Sequence, residues 1–467
     1  MTTPVRRQAA AAGKATRRGA PGKREGRAAN FPAGFAAREA GTRILHHILA
    51  KSRPLDEALA ILDDPEFASL APNDRAFARA IVTTALRREG QIADALARFV
   101  TSPLPEKRGR LDQILLAGGA QLLFMDTPAH AAINVAVAQA RHDGGARRFA
   151  SLVNAVLRRL AGSKAEILAD QDAARLNTPD WLWRRWCAHY GADTARAIAG
   201  QHLIEPPLDL TVKSDTEGWA TRLGGVALPT GSVRLAARGR IEALEGYADG
   251  AWWVQDAAAA LPARLLGNVA GLRVADLCAA PGGKTAQLAH AGAQVIAVDQ
   301  SPKRLARLRM NLTRLRLDAE TVAADATDWH PPAPLDAVLL DAPCTATGTI
   351  RRHPDIAHLK ASADLEKLVA LQSRLIDKAA EILRPGGRLV YCTCSLEPEE
   401  GMAQIERLLS RRSDFTLEPI SAEALGGPSE WVCAPGVLRT LPHQMPAAEP
   451  GLSGIDGFFA ARLHKTG

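Results

Sequence analysis

Three short stretches of this chain hold residues whose types and spacing suit chemistry. They are Asp276-Leu277-Cys278-Ala279-Ala280-Pro281-Gly282-Gly283-Lys284-Thr285, then Asp341-Ala342-Pro343-Cys344, and finally Tyr391-Cys392-Thr393-Cys394-Ser395. A strand that breaks into Pro-Gly-Gly at a helix start leaves bare backbone amides against which a nucleotide-like ligand can lie. Two cysteines and an aspartate at neighbouring strand ends suit covalent catalysis on a ring carbon. Carbon 5 of cytosine is such a case. It becomes nucleophilic enough to take a methyl group only after a thiolate adds to carbon 6, and a base must then remove the carbon 5 proton before the thiolate can leave. Inert buried thiols and a zinc site built from Cys344, Cys392, Cys394 and Cys433 are the rival readings. The Cys-x-Cys spacing lacks the two-residue gap of structural zinc knuckles and no histidine pattern supports it, so no metal is expected.

The elements that must position these residues follow from hydrophobic period. Strands are expected at 273–277, 294–298, 321–324, 337–340 and 388–391, with a late strand near 458–463. Helices are expected at 302–315, 365–383 and 398–410. Alternation at this spacing implies an α/β, Rossmann-like, doubly wound parallel sheet. Asp299, Asp325 and Asp341 then end successive strands beside the first loop. That is the layout of a methyltransferase sheet that binds S-adenosyl-L-methionine. The nucleoside would lie on Asp299 and Asp325, with the amino-acid end near the loop and Asp341. The missing G-x-G-x-x-G argues against a nicotinamide cofactor. Cys392 would face the same way as Cys394 only if its strand runs that far, and it is read as packing. Asp341, Cys344 and Cys394 are expected to face one pocket.

Residues 37–162 are helical in period throughout, and residues 163–265 read as a small mixed linker domain, with helices near 180–190 and 192–202. Residues 266–467 form the expected catalytic domain. Residues 1–36 read as a basic tail without structure. Within residues 1–30 eight arginines and lysines face Glu25 alone, out of a net charge of +8 for the whole chain. Such an arm attracts polyanions in a salt-sensitive way. No apolar run is long enough to span a bilayer, and no hydrophobic core follows Arg6-Arg7 as a signal peptide would require. Six cysteines in 467 residues suit a reducing cytoplasm. Basic clusters at Arg87-Arg88, Lys107-Arg108-Gly109-Arg110, Arg147-Arg148 and Arg158-Arg159 favour RNA as a set. Aromatic residues are only 4%, so extended base stacking is not the main grip. A monomer is favoured.

Together these motifs resemble the Sun/Nop (Fmu-type) family of RNA (cytosine-5) methyltransferases, in the bacterial branch that carries a NusB-like domain and acts on 16S ribosomal RNA. The NusB-like likeness rests on Pro128-Ala129-His130-Ala131-Ala132-Ile133-Asn134 and Val153-Asn154-Ala155-Val156-Leu157-Arg158. The catalytic likeness rests on the stretch 276–285, on Asp341 to Cys344 with Gly348-Thr349-Ile350-Arg351-Arg352-His353-Pro354-Asp355, and on Thr393-Cys394-Ser395. The resemblance implies that Cys394 attacks cytosine, that Cys344 assists release of the product, and that Asp341 holds the base edge and helps protonate the ring nitrogen. It further implies that Cys278, Ala279, Ala280, Pro281, Gly282, Gly283, Lys284, Asp299, Asp325 and Asp341 contact the cofactor, with Arg304 a weaker candidate. Leu210-Thr211-Val212-Lys213 departs from the Leu-Arg-Val-Asn common in relatives. Two other readings are a non-catalytic RNA-binding scaffold and an amino-directed methyltransferase. Intact cysteines oppose the first, and Asp-Ala-Pro-Cys in place of an Asp/Asn-Pro-Pro-Tyr loop opposes the second. Transfer RNA and 23S RNA are the alternative substrates.

Overall fold

The structure is a computed structural model that describes residues 31–236 and 239–466. The expectation for residues 1–30 lies outside the described residues. Residues 31–36, grouped above with the unstructured tail, are instead ordered. The ring of Phe31 stacks on Phe35 with centroids 3.9 Å apart, and the first helix starts at Phe35 rather than at residue 37. Phe35 is buried, so the helix begins where the first large apolar side chain finds a partner.

Helices Phe35–Leu49, Pro72–Arg87, Leu111–Phe124, Ala129–His142 and Ala150–Gly162 enclose one core that includes Ile44, Ile81, Ile114, Val153 and Leu157. Gly118 lets two of them approach closely, because a Cβ there would stand 2.8 Å from a Leu157 methyl. Helices Asp180–Tyr190 and Ala192–His202 then lead into a small antiparallel sheet. Its strands are β1 (Leu208–Val212), β2 (Val226–Ala227), β3 (Ser232–Leu235) and β4 (Trp252–Val254), in the order β2-β3-β1-β4.

The catalytic part contributes β5 (Arg273–Leu277), β6 (Gln294–Asp299), β7 (Glu320–Ala323), β8 (Leu335–Asp341) and β9 (Leu383–Thr393). It continues with β10 (Phe415–Leu417), β11 (Val432–Ala434), β12 (Val437–Thr440) and β13 (Phe458–Lys465). The order is β11-β12-β13-β9-β8-β5-β6-β7, with β10 also paired to β13. From β9 to β7 the strands are parallel, as the alternating period implied. From β13 outward they are antiparallel, so the expected parallel sheet is mixed. The turn at Pro435-Gly436 is too short for a crossover and forces β11 and β12 to run antiparallel. These strands are short, which hid β10 to β12 from the periodicity. The helix expected at 398–410 is broken. A 3-10 turn, Pro398–Glu400, and a helix, Met402–Arg411, meet at Gly401, where a Cβ would stand 2.8 Å from Arg439 and 3.1 Å from Phe459.

Polar contacts tie the three parts together around the segment after Cys344. Arg87 Nη1 donates to the Arg351 carbonyl at 2.9 Å, and the Leu55 amide donates to Asp355 Oδ2 at 2.9 Å. Arg234 grips Asp209 with two bonds of 2.7 Å. Next to that pair, Arg351 and Arg352 bond Asp256 of the middle part and Asp456 of the catalytic part. Burial alone would raise the Asp256 carboxyl, but Arg352 and Arg351 outweigh it and hold that carboxyl far below its ordinary range. Buried ions survive here because each has partners of opposite sign.

Candidate active site

β5 ends at Leu277, and the backbone turns at Cys278 with φ +61°. The Ala279 amide donates to the Val298 carbonyl of β6 at 3.1 Å, and helix Gly283–His290 follows. Gly282 sits at φ +101°, and a Cβ there would stand 2.7 Å from Leu308 Cγ, so conformation and space both demand glycine. Asp276 is fully buried beneath the loop. One of its oxygens accepts the Thr285 hydroxyl at 2.6 Å and the other has no partner. Burial, with Asp341 and Asp299 nearby, pushes this carboxyl up to about 7.

At the tip of β6, Asp299 accepts the Ala280 amide at 3.2 Å and the Ser301 amide at 2.9 Å, which fixes the loop against the strand end. Arg304 stands 3.3 Å from the same carboxylate and also bonds the Ala280 carbonyl. Asp325 lies two residues past the end of β7. It is held by the amide and hydroxyl of Thr327, whose bonds keep its carboxyl below the usual range. Cys278, Asp299, Gln300, Arg304, Asp325 and Pro343 line one narrow groove. A nucleoside sulfonium fits this donor set. Asp299 and Asp325 offer carboxylate oxygens with spare lone pairs to hydroxyl and amino groups. Lys284, expected to contact the cofactor, lines a neighbouring cleft together with Ala279, Pro281, Gly282, Gly283 and Asp341.

Lys284 Nζ lies 2.7 Å from Asp341 Oδ2, at the end of β8. Burial would lower this ammonium, but the Asp341 carboxylate outweighs it and raises it above its ordinary value. Both residues line a cleft of about 580 Å³, together with Gln255, Asp256, Arg307 and His353 from the surrounding parts. Strand β9 does run past Cys392, which pairs in register with Asp341. Cys392 is buried, as its reading as packing implied, but its thiol also points at Asp341 Oδ1 at 3.4 Å. Burial and the facing carboxylate raise that thiol well above the ordinary range.

Cys344 and Cys394 meet at the neighbouring strand ends, sulfur to sulfur at 3.5 Å. Asp341 and Lys284 form one close pair and Cys344 and Cys394 another, on the neighbouring ends of β8 and β9. Asp341 shares its two oxygens between Lys284 Nζ and the Cys392 thiol. The hydrogen bond with Cys394, then burial, then the charge of Glu400 hold the Cys344 thiol well above its ordinary value.

Beneath the sulfurs lies a polar layer that the sequence did not reveal. Thr345 Oγ1 is 3.0 Å from Ser395 Oγ, and Glu400 accepts from Thr345 and Gln372. Pro398-Glu399-Glu400-Gly401 reads locally as an acidic helix start, and no spacing marks Glu400 as buried. Arg351 and Arg352 stood within a quoted motif, but their partners Asp256 and Asp456 lie about a hundred residues away on either side. Two basic clusters read as RNA contacts are in fact used internally. Arg87 and Arg88 brace the domain junction through the His202, Leu203 and Arg351 carbonyls, whereas Arg108 pairs with Asp112 and Arg110 with Glu39 and Asp143.

Comparison with known proteins places these features among relatives. Residues 263–464 match the family model described as 16S rRNA methyltransferase RsmB/F, and residues 36–162 match the NusB family. The chain is 37% identical over 452 residues to ribosomal RNA small subunit methyltransferase B of Xanthomonas campestris pv. campestris, which spans 93% of this chain and 98% of that one. The protein of the same name from Shewanella oneidensis is 34% identical over 409 residues, 84% of this chain and 91% of its own. Among solved structures, PH0851 superposes with a TM-score of 0.69 at 21% identity, covering 92% of this chain and 99% of its own. NSun6 from Pyrococcus horikoshii gives 0.51 at 22% identity, covering 62% and 98%. With a methyltransferase sheet, paired cysteines at its strand ends and such relatives along nearly its whole length, this chain belongs to the RsmB/F family of 16S rRNA methyltransferases.

Proposed function

We propose that the protein transfers a methyl group from S-adenosyl-L-methionine to carbon 5 of a cytosine in 16S ribosomal RNA, through a covalent bond between Cys394 and carbon 6. The observation that carries this reading is the 3.5 Å approach of two free thiols at the ends of adjacent strands, beside a loop shaped for a nucleoside. S-Adenosylmethionine, when bound, supplies the methyl group as an electrophile on a sulfonium.

The Cys394 thiol, 3.5 Å from the Cys344 sulfur, gives its proton to water and attacks as the thiolate. That sulfur adds to carbon 6, and charge builds on the base. Asp341 holds the base edge and passes a proton to the ring nitrogen, drawing it across the 2.7 Å contact with Lys284. After carbon 5 is methylated, the Cys394 sulfur is a neutral thioether. The largest cause of the raised Cys344 value, its bond to Cys394, is then gone. Cys344 loses its proton to water and takes the proton from carbon 5. The carbon 5–carbon 6 double bond re-forms, the Cys394 sulfur leaves with its electron pair, and the ring-nitrogen proton returns through Asp341 to Lys284. Asp299 and Asp325 act only in binding and orientation.

The test is transfer of tritiated methyl to deproteinised 16S RNA, with nucleoside analysis of the product. Label in 5-methylcytosine is expected. Label in another nucleoside would overturn the chemistry, and label confined to transfer RNA or 23S RNA would overturn the substrate.

RNA contact is supported by the helical domain. Arg141, Arg147, Arg148, Arg158 and Arg159 are exposed. Among the described residues, Arg147, Arg148 and Arg158 bond carbonyl or amide oxygens of Arg141, Lys107 and Asn154 and no carboxylate. A cleft of about 730 Å³ lined by Phe31, Asn134, Arg141, His142 and Asn154 lies among them. Cations without carboxylate partners keep their full attraction for phosphates. Replacing Arg147 and Arg148 together by glutamate is expected to weaken RNA binding and to flatten the dependence of log Kd on log salt by about one to two units. An unchanged slope in a salt titration would remove this face from the RNA path. The reading places the protein with its RNA in the cytoplasm. No helix among the described residues is long and apolar enough to cross a membrane.

A further inference from the structure

We infer that Glu400 is a positioning residue that sets the spacing of Cys344 and Cys394 and thereby governs release of the methylated RNA. The inference rests on the cysteine roles proposed above. Glu400 is fully buried. Its carboxylate accepts the Thr345 amide at 2.9 and 3.2 Å, the Thr345 hydroxyl at 2.5 Å and the Gln372 amide at 2.9 Å. Thr345 is the residue after Cys344. The Glu400 carbonyl meanwhile accepts the Tyr391 hydroxyl at 2.8 Å and the Thr393 hydroxyl at 3.2 Å. Thr393 is the residue before Cys394. One residue therefore holds the immediate neighbours of both sulfurs, the first by its side chain and the second by its backbone.

Two further contacts close this frame. Gln372 Nε2 reaches from helix Ser362–Ile382 to the Pro343 carbonyl at 2.8 Å, on the other side of Cys344. Ser395 Oγ stands 3.0 Å from Thr345 Oγ1 and so links the residues that follow each cysteine. The strands themselves do not supply this registration, because β8 ends at Asp341 and β9 ends at Thr393, before either sulfur. A loop thiol beyond a strand end keeps a fixed place only if something anchors it, and at Cys344 that anchor is a carboxylate saturated with donors. Burial raises the Glu400 carboxyl above its ordinary value, while the surrounding donors oppose the shift.

The geometry separates the two chemical steps. Attack on carbon 6 and methyl transfer need Cys394 and the cofactor loop, neither of which hangs on the Glu400 carboxylate. Removal of the carbon 5 proton needs the Cys344 sulfur at its set distance from the adduct, and that does depend on the carboxylate. Glu400→Gln keeps the shape but leaves one acceptor atom where two now serve Thr345 and Gln372, so the Cys344 loop loses part of its anchor.

The experiment is single-turnover methylation of 16S RNA by Glu400→Gln, Gln372→Leu, Cys344→Ala and the unaltered protein. Total methyl incorporated and methyl trapped in a denaturation-resistant protein–RNA band are read separately. Glu400→Gln is expected to raise the trapped fraction at least about tenfold over the unaltered protein, with total incorporation falling much less, and Gln372→Leu to move it the same way. A merely structural role would lower both quantities together and leave the trapped fraction unchanged, which would overturn the inference. Should Glu400→Gln unfold in a thermal scan, Gln372→Leu decides by the same ratio. Cys344→Ala separates the two levels. If it traps adduct and the other variants do not, only the role of Glu400 falls. If it too releases free product, the reading of the cysteines falls first.

Discussion

Cys394→Ala is expected to lower methyl transfer to RNA by at least about 10⁴-fold, with cofactor binding and thermal unfolding unchanged. The size follows from the chemistry of the base. Without a sulfur bonded to carbon 6, carbon 5 carries too little electron density to take the methyl group, and nothing else at the strand end can replace that bond. Cys344 is 3.5 Å away but bonds toward Cys394, and burial and neighbouring charge hold it in the thiol form. The loss should therefore appear in kcat and not in KM for the cofactor, since the groove formed by Asp299, Asp325 and Cys278 is untouched. The covalent band expected with Cys344→Ala should also vanish in the double variant. A Cys394→Ala protein that still methylates at a tenth of the normal rate would move the nucleophile to Cys344 and reverse both roles.

Cys344→Ala gives the second large effect, and it is opposite in kind. Methyl transfer continues for one turnover and then stops, because the carbon 5 proton has no base and the Cys394–carbon 6 bond cannot break. Multiple-turnover rate is expected to fall by about 10³-fold or more, while near-stoichiometric methylated RNA stays bonded to the protein through a denaturing gel. The side chain is small and partly exposed, and removing one sulfur leaves the Thr345–Glu400 contacts in place, so the fold should tolerate the change. Free product at the normal rate would show that another group, or water, removes the proton.

The local motifs were readable because their physics is local. Pro281-Gly282-Gly283 after an apolar strand predicts a turn with positive φ at a helix start, and Gly282 adopts φ +101° there. Asp299 and Asp341 close strands whose apolar runs are visible by themselves. Alternation of these strands with helices was enough to foresee a parallel sheet across β9, β8, β5, β6 and β7. Short antiparallel strands such as Val432–Ala434 carry too few residues to show a period, so the other half of the sheet went unread.

Contacts between distant residues were the other blind spot. Arg87-Arg88 and Arg147-Arg148 look alike in the sequence, yet one pair is half-buried against carbonyls at a domain junction and the other is exposed. A basic dipeptide reports its charge but not what faces it. The same holds for Lys284, whose place in a cofactor motif gave no hint that its ammonium would close on Asp341 at 2.7 Å.

The sequence by itself determined the class of protein and marked the residues proposed here as cofactor loop and reacting groups, since each motif is set by residues within ten or so positions of one another. Only the tertiary structure decided how those groups pair: Lys284 with Asp341, Cys344 with Cys394, and both sulfurs with the frame around Glu400. The reason is that side-chain types are fixed along the chain, whereas the distances and burial that set their charge states arise between strands that are distant in sequence and neighbours in the sheet.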